Sequence, residues 1–164
     1  MRTQTTAIET IPISIKKVTL WRREIDGNPE ALQAALQPLA DAGIRLQILM
    51  RYRHFRNEHL AVVEVGAHDA EDQDRAASVM QAAGLTVSTV PAVLIEGDEI
   101  IGVEYAITKM IAEQNLNLLF CVSHAMNGQW GALMGFTSDD DAEKAVTSLL
   151  QMKIHIPTKE RMAS

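Results

Sequence analysis

The sequence predicts an α+β fold made of two copies of one βαββαβ unit. Three observations predict it. First, strands and helices follow one another in the same order twice, and Gly43 and Asn115, which end the first helix of each copy, lie 72 residues apart. In addition, Asn127-Gly128 marks a tight hairpin turn in the second copy. Each copy should form a four-stranded antiparallel sheet with two helices on one face.

The first copy begins with a predicted strand over residues 17–25. Asn28 is expected to cap the next helix with Pro29 in its first turn, Pro38 to disturb its middle, and Gly43 to end it. Alternating apolar residues predict further strands over 44–54, 59–65 and 85–90. A second helix should run from Asp69, with Glu71 and Asp72 in its first turn, to about residue 83.

The second copy repeats this order. It has a predicted strand over 92–96, a helix over 102–114, hairpin strands over 118–126 and 129–136, and a last strand over 153–156. Ser138 is expected to cap the final helix, whose first turn holds Asp139, Asp140 and Asp141. The predicted boundaries are a lead-in over 1–15, repeat 1 over 16–90, repeat 2 over 91–156 and a tail over 157–164.

Composition excludes several classes of protein. The chain has 164 residues, 47% of them hydrophobic and 22% charged, which is typical of globular domains. A net charge of −6 argues against a mainly electrostatic nucleic-acid or membrane binder. The one cysteine, Cys121, excludes an internal disulfide, and residues 1–12 have no apolar core typical of a secretory signal. We therefore expect a cytoplasmic protein.

The stretch 118–136 has no charged residue and is 19 residues long. Its Asn127-Gly128 turn and interior polar residues argue against a membrane span and favour two strands. Repeat 1 carries nine basic and ten acidic residues, whereas residues 91–156 carry three basic and nine acidic. Because both faces of the second hairpin lack charge, we expect its second face to be covered, either by repeat 1 or by another subunit.

Two loops, together with the repeated order of strands and helices, resemble the ACT domain family. The resemblance covers nearly the whole chain, about residues 17–156. The family pattern D-x-P-G-x-L, a helix and then A-G-I-N is similar to Asp26-Gly27-Asn28-Pro29-Glu30-Ala31-Leu32 followed by Ala42-Gly43-Ile44-Arg45. In the second copy it is similar to residues 96–103 followed by Asn115-Leu116-Asn117. The first copy keeps the proline at Pro29, and the second keeps Gly102 and Asn117.

The resemblance implies ferredoxin-like repeats and a non-catalytic, regulatory protein that binds a small molecule, an amino acid above all. It also implies a homodimer and an enzyme as regulated partner, with no cofactor, no nucleic acid and no membrane. The ligand-binding residues that it implies lie at the two loops: Asp26, Gly27, Asn28, Pro29, Asp98, Glu99, Ile100, Ile101, Gly102 and Asn117.

Elementary chemistry describes the same site. A glycine at the mouth of a helix, such as Gly102, lets a ligand approach free N–H groups that attract a carboxylate. Asn117 can supply an amide, and Asp98 or Glu99 a partner for an ammonium group. The competing interpretation is structural: Asn28 caps a helix, Gly102 eases a turn and Asn117 bonds a loop.

Other clusters carry weaker signals. Cys121, His124 and Met126 lie close in sequence, but strand alternation separates Cys121 from the other two, so we predict no metal site. A basic cluster in repeat 1 could bind an anion, face the acidic repeat 2 or simply be solvated. It comprises Arg45, Arg51, Arg53 and Arg56, with His54 and His59.

No catalytic motif is present, so we predict no enzyme activity and name no catalytic residue. Aromatic residues do not form the pattern of an RNA-binding sheet. Two alternative functions remain open. One is a small dimeric α+β-barrel-like enzyme with an interior pocket that uses His124 or an acidic loop residue, and the other is a protein–protein adaptor without a ligand.

Overall fold

The computed structural model describes residues 7–9, 13–68, 73–152 and 154–156. The chain divides into two compact units. Repeat 1 is formed by Thr19–Thr89, and repeat 2 by the chain up to Val18 together with the chain from Val90 onwards. Each unit has its own four-stranded antiparallel sheet, so the predicted α+β architecture of two ferredoxin-like repeats is confirmed.

Repeat 1 follows the predicted order of strand, helix, two strands, helix and strand. Its sheet has the order β4-β5-β3-β6. Its elements are β3 (Trp21–Asp26), α1 (Pro29–Asp41), β4 (Leu46–Arg53), β5 (Leu60–Ala67), α2 (Gln73–Ala82) and β6 (Thr86–Val87).

Repeat 2 has the sheet order β2-β7-β9-β8. Beside it, a two-stranded sheet joins β1 to β10. Its elements are β1 (Ala7–Glu9), β2 (Ile13–Val18), β7 (Ala92–Asp98), α3 (Val103–Glu113), β8 (Leu118–Met126), β9 (Gln129–Phe136), α4 (Asp139–Gln151) and β10 (Ile154–Ile156).

The single strand predicted over 17–25 is wrong. The chain forms β2 and β3 there, and the two strands belong to different sheets, because β2 pairs with β7 whereas β3 pairs with β5. Local periodicity identifies both segments as extended but does not specify their partners. The division of the chain therefore differs from the predicted boundaries, since repeat 2 includes a strand that precedes repeat 1.

The expectations for the chain ends also change. Residues 1–15 are not only a lead-in, since β1 and the first half of β2 lie there. The predicted last strand forms as β10 but pairs with β1, and β2 takes the outer position of the sheet beside β7. The predicted strand 85–90 shortens to the two residues of β6. Residues 157–164 lie outside the described residues.

The helix ends follow the predicted capping residues. The Asn28 side chain accepts a hydrogen bond from the N–H of Ala31, and Ser138 caps α4 in the same way through Asp141. Pro38 lies inside α1 without ending it, and Gly43 follows the helix with a left-handed φ of 67°. The predicted start of α2 at Asp69, with Glu71 and Asp72, lies outside the described residues.

Each repeat has a core between its sheet and its two helices. In repeat 1 the core includes Trp21, Leu39 and Met80, and in repeat 2 it includes Ile107, Phe136 and Leu149, all nearly inaccessible to solvent. Burial of these side chains contributes about 1.5–3 kcal/mol each. The helices are thereby fixed against one face of each sheet, which sets the direction of the loops that precede them.

The β8–β9 hairpin forms with the predicted strand bounds, and both Asn127 and Gly128 have positive φ. Leu133, on the face of this hairpin away from the helices, is buried. Strand β8 is different, since Leu119, Val122 and Met126 are at least half exposed. None of the helices in the described residues has the length and apolar character needed to cross a membrane.

Candidate functional site

The segment from the last residue of β3 to the first residue of α1 holds four of the predicted ligand-binding residues. Asn28 is occupied as the helix cap, accepting from the Ala31 N–H at 2.8 Å, and Pro29 at the start of α1 has no N–H to offer. Gly27 donates its N–H to the His59 carbonyl at 2.8 Å. Of the four, only Asp26 keeps an exposed polar side chain without a partner among the described residues. The structural interpretation therefore accounts for Asn28 and Pro29.

An open pocket of about 450 Å³ lies beside Asp26, between β3 and α1. Three alanines of α1 contribute to its wall, and sequence analysis did not identify them because a short apolar side chain carries no functional signal. The pocket is lined by Arg23, Glu24, Ile25, Asp26, Ala31, Ala34, Ala35 and Leu60.

The basic cluster of repeat 1 does not converge on one anion site. Arg45 precedes β4 and Arg53 ends it, which places them about 26 Å apart along the strand. Arg51 donates to the Gly27 carbonyl at 2.6 Å. The Arg56 guanidinium lies 5.1 Å from the centre of the Phe55 ring. Two of these cations therefore have structural partners inside repeat 1.

The loop before α3 brings the second group of predicted residues together. Glu99 donates its N–H to the Gly128 carbonyl at 2.8 Å, and the Asp98 carboxylate accepts from Gln129 Nε2 at 2.7 Å. These two bonds hold the loop against the β8–β9 turn. Sequence analysis missed Gln129, because its register opposite Asp98 is set by sheet pairing.

Gly102 leaves the start of α3 open. Its φ is 86°, in the left-handed region, and apart from Gly102 itself and its neighbours in the chain no heavy atom lies within 4 Å of the position that a Cβ would take. Unlike α1 and α4, this helix has no side-chain cap. Within the described residues, the N–H groups of Glu104 and Tyr105 have no hydrogen-bond partner. The side chain of Ile101 beside them is 84% exposed.

Asn117 does not join this group within repeat 2. It lies beyond the other end of α3, a helix of 11 residues that spans about 16 Å. Its N–H donates to Asp141 at 3.1 Å and its carbonyl accepts from Thr137 at 3.1 Å. The expectation that Gly102 and Asn117 share one site is therefore wrong within one repeat, because Gly102 lies at the start of α3 and Asn117 lies beyond its end.

Glu64 is a polar group that sequence analysis missed inside an otherwise apolar strand. It is 1% exposed, and its Oε1 accepts from the Ser88 hydroxyl at 3.2 Å, whereas Oε2 has no hydrogen-bond partner among the described residues. Partial burial of the Tyr52 side chain, which is 43% exposed, raises its pKa above 10.0, and the charge of Glu64 raises it further. The alternation of β5 places Glu64 on the face of the sheet opposite the helix-covered core.

Similarity to solved structures supports the fold, whereas sequence comparison does not contribute. No protein-family model and no curated protein matches the sequence. A protein from Bacteroides thetaiotaomicron, BT0572, has a similar structure with a TM-score of 0.67 at 13% identity, over 86% of this chain and 94% of that chain.

Regulatory subunits of aspartate kinase are similar too. The subunit from Thermus flavus has a TM-score of 0.60 at 11% identity, over 88% of this chain and 97% of its own. The ligand-free subunit from Thermus thermophilus has a TM-score of 0.57 at 12% identity, over 87% and 98%. The chain has the tandem ACT fold. At such low identity the similarity establishes the tandem ACT fold and does not identify a ligand.

Proposed function

We propose that this tandem ACT chain is a regulatory module that binds an amino acid at the start of α3 and catalyses no reaction. The proposal depends on one observation, which is that the start of α3 is open at Gly102. The solved structures of aspartate kinase regulatory subunits support the regulatory role. In this proposal the binding site is formed by Asp98, Glu99, Ile100, Ile101 and Gly102.

The chemistry of the helix end suits an α-carboxylate. The unpaired N–H groups of Glu104 and Tyr105 lie at the positive end of the α3 dipole, and Gly102 leaves space in front of them. The exposed carboxylate of Glu99 is available for the ammonium group of the same ligand. Ile101 offers an apolar surface for its side chain.

Repeat 1 has lost this arrangement. Asn28 satisfies the Ala31 N–H, and Pro29 removes another donor, so the start of α1 presents fewer free groups than the start of α3. We therefore place the amino-acid site in repeat 2.

The bound amino acid would regulate an enzyme partner by changing how the subunits pack against one another. A ligand bound at the end of α3 favours whichever arrangement of subunits or enzyme partner contacts it best. The exposed apolar residues of β8 support a homodimer, because a long uncharged outer strand is unusual in a protein that stays monomeric. Light scattering across a range of protein concentrations tests this part of the proposal.

Thermal unfolding with each of the twenty amino acids tests the ligand. The expected result is a concentration-dependent rise of Tm by one of them, of several degrees at 100 times Kd. Gly102→Ala should abolish that rise, since the new Cβ occupies the open space. Gly43→Ala is the matched control, because Gly43 has a similar φ of 67° and equally empty surroundings in repeat 1. No rise with any amino acid would contradict amino-acid binding and favour the adaptor alternative.

A further inference from the structure

The two repeats have an aspartate at the same position but give it different neighbours. Asp26 is the last residue of β3, and its register partner on β5 is Leu60. Asp98 is the last residue of β7, and its register partner on β9 is Gln129. Gln129 Nε2 donates to the Asp98 carboxylate at 2.7 Å, whereas leucine has no group that could donate. The duplicated position has therefore diverged in the repeat that has the open helix start.

A backbone hydrogen bond at this end of the sheet is common to both repeats. Gly27 donates to the His59 carbonyl at 2.8 Å, and Glu99 donates to the Gly128 carbonyl at 2.8 Å. Each bond ties the loop after the first strand of its repeat to the turn between the next two strands. The backbone bond is thus a feature of the fold, and the bond from Gln129 is an addition in repeat 2.

Gln129 lies between the proposed amino-acid site and the exposed strand β8. It is the register partner of Asp98 on one side and of Met126 on the other. Register partners of an antiparallel sheet have their side chains on the same face, with Cβ atoms about 4.5–5.5 Å apart. The three side chains therefore form a row across the end of β7, β9 and β8. Met126 is 66% exposed, so the row leads from the loop before α3 to the outer strand of the sheet.

The turn that joins β8 to β9 is short. It consists of Asn127 and Gly128, which have φ values of 55° and 76°. A two-residue turn with positive φ at both positions holds its flanking strands in one register. A restraint on Gln129 is therefore passed to Met126, because no flexible loop between them absorbs it.

We propose that Gln129 is a positioning residue that couples occupancy of the amino-acid site to the outer strand β8. A ligand held by Glu99 and by the start of α3 fixes the loop that begins at Asp98. The bond between Asp98 and Gln129 then extends this order to the end of the hairpin. The coupling rests on the proposed function and specifies how binding affects a strand that the ligand does not touch.

Gln129→Leu removes the coupling bond and leaves the backbone bond in place. The variant is expected to fold, because repeat 1 has leucine at the equivalent position. Hydrogen exchange is measured by NMR on the full chain without ligand. The Glu99 amide should exchange about threefold faster or more, since its loop loses a hydrogen bond. The Gly27 amide, which makes the equivalent bond in repeat 1, should be unchanged.

Gln37→Leu is the matched control. The Gln37 side chain donates to the Asp41 carboxylate at 2.8 Å in α1, so this variant loses a glutamine–aspartate bond of the same kind in repeat 1. Its Glu99 amide should exchange as in the wild-type protein. Thermal unfolding of both variants confirms that each is folded.

The twenty amino acids, added one at a time, test the coupling itself. The amino acid that raises Tm should slow exchange of the Met126 amide in the wild-type protein by about threefold or more. In Gln129→Leu the rise of Tm should persist, whereas the slower exchange at Met126 should be lost. A purely structural role of Gln129 would instead weaken both responses together.

Three results would overturn the coupling. The first is an unchanged Glu99 amide in Gln129→Leu, and the second is equally slowed exchange at Met126 in the wild-type protein and in Gln129→Leu. The third is a rise of Tm in the wild-type protein without slower exchange at Met126, which contradicts the coupling and leaves amino-acid binding intact. If no amino acid raises Tm, the proposed function fails and the coupling fails with it.

Discussion

The ring of Phe120 covers Gly135 on the neighbouring strand, in the place where a side chain at position 135 would lie. The two residues are register partners in the β8–β9 pair, and a Cβ built on Gly135 would collide with three atoms of the ring. An aromatic ring over a cross-strand glycine compensates for the packing that glycine lacks. The pair thus fixes β8 to β9 at a position where the sequence shows only two uncharged residues.

Gly135→Ala should lower the free energy of unfolding by about 1–3 kcal/mol, because the new methyl group overpacks against the ring. Gly135 has no left-handed φ, so backbone strain does not contribute. Chemical denaturation of the variant, of Phe120→Ala and of the double variant measures the coupling. In the Phe120→Ala background the alanine at 135 should cost much less, and an equal cost in both backgrounds would contradict the overpacking argument.

Asn28→Ala should lower the free energy of unfolding by about 1 kcal/mol, since the N–H of Ala31 loses its acceptor. Asn28→Asp keeps a side-chain oxygen at the cap and should retain most of the stability. Gln33→Ala, at an exposed position of the same helix, is the control for helix propensity and should cost nothing. Urea denaturation provides the measurement, and a loss in Gln33→Ala as large as that in Asn28→Ala would contradict the cap.

Tyr52 should ionise above pH 10.0, because burial first and the Glu64 charge second disfavour its phenolate. The chain has two tyrosines, so absorbance at 295 nm in Tyr105→Phe reports Tyr52 alone. A folded pKa above the unfolded one means that stability is fully present below about pH 10 and falls as pH rises through the folded pKa.

Glu64→Gln tests the second cause of this shift. Removal of the nearby charge should move the midpoint of Tyr52 to lower pH while burial keeps it above 10.0. A wild-type midpoint at or below 10.0 would contradict the burial argument, and an unchanged midpoint in Glu64→Gln would contradict the contribution of Glu64.

Cys121 should react slowly with iodoacetamide at neutral pH, because partial burial raises the pKa of its thiol above 9.0. Alkylation should reach one equivalent, as the chain has one cysteine. The half-maximal rate should lie above pH 9.0 for the folded chain and lower for the chain unfolded in guanidinium. Coincident pH profiles of the two forms would show that the fold does not affect this thiol.

The features that local chemistry controls could be predicted from the sequence. Helix caps and hairpin turns depend on residues within four positions of one another, so they can be recognised before the fold is known. This holds for the caps at Asn28 and Ser138 and for the turn at Asn127-Gly128. The duplicated order of strands and helices was predictable for the same reason. Asp98, Glu99 and Gly102 lie within four positions of one another, so their proximity follows from the sequence alone.

The features that depend on distant partners could not be predicted. Gln129 reaches Asp98 through sheet register, and the length of α3 separates Asn117 from Gly102. Glu64 is buried on a strand whose sequence resembles an apolar core strand. In each case the outcome depends on contacts between residues far apart in the chain, which hydrophobic periodicity does not encode.

The sequence by itself determined that this protein is a duplicated α+β chain with capped helices and an uncharged hairpin. Only the tertiary structure decided that β2 pairs along the whole outer side of β7, whereas in the described part of the chain β6 pairs with β3 only at Trp21 and Arg22. The physical reason is that a strand's extended form follows from its own side chains, whereas its partner follows from which sheet edge offers free hydrogen-bonding groups and an apolar surface within reach.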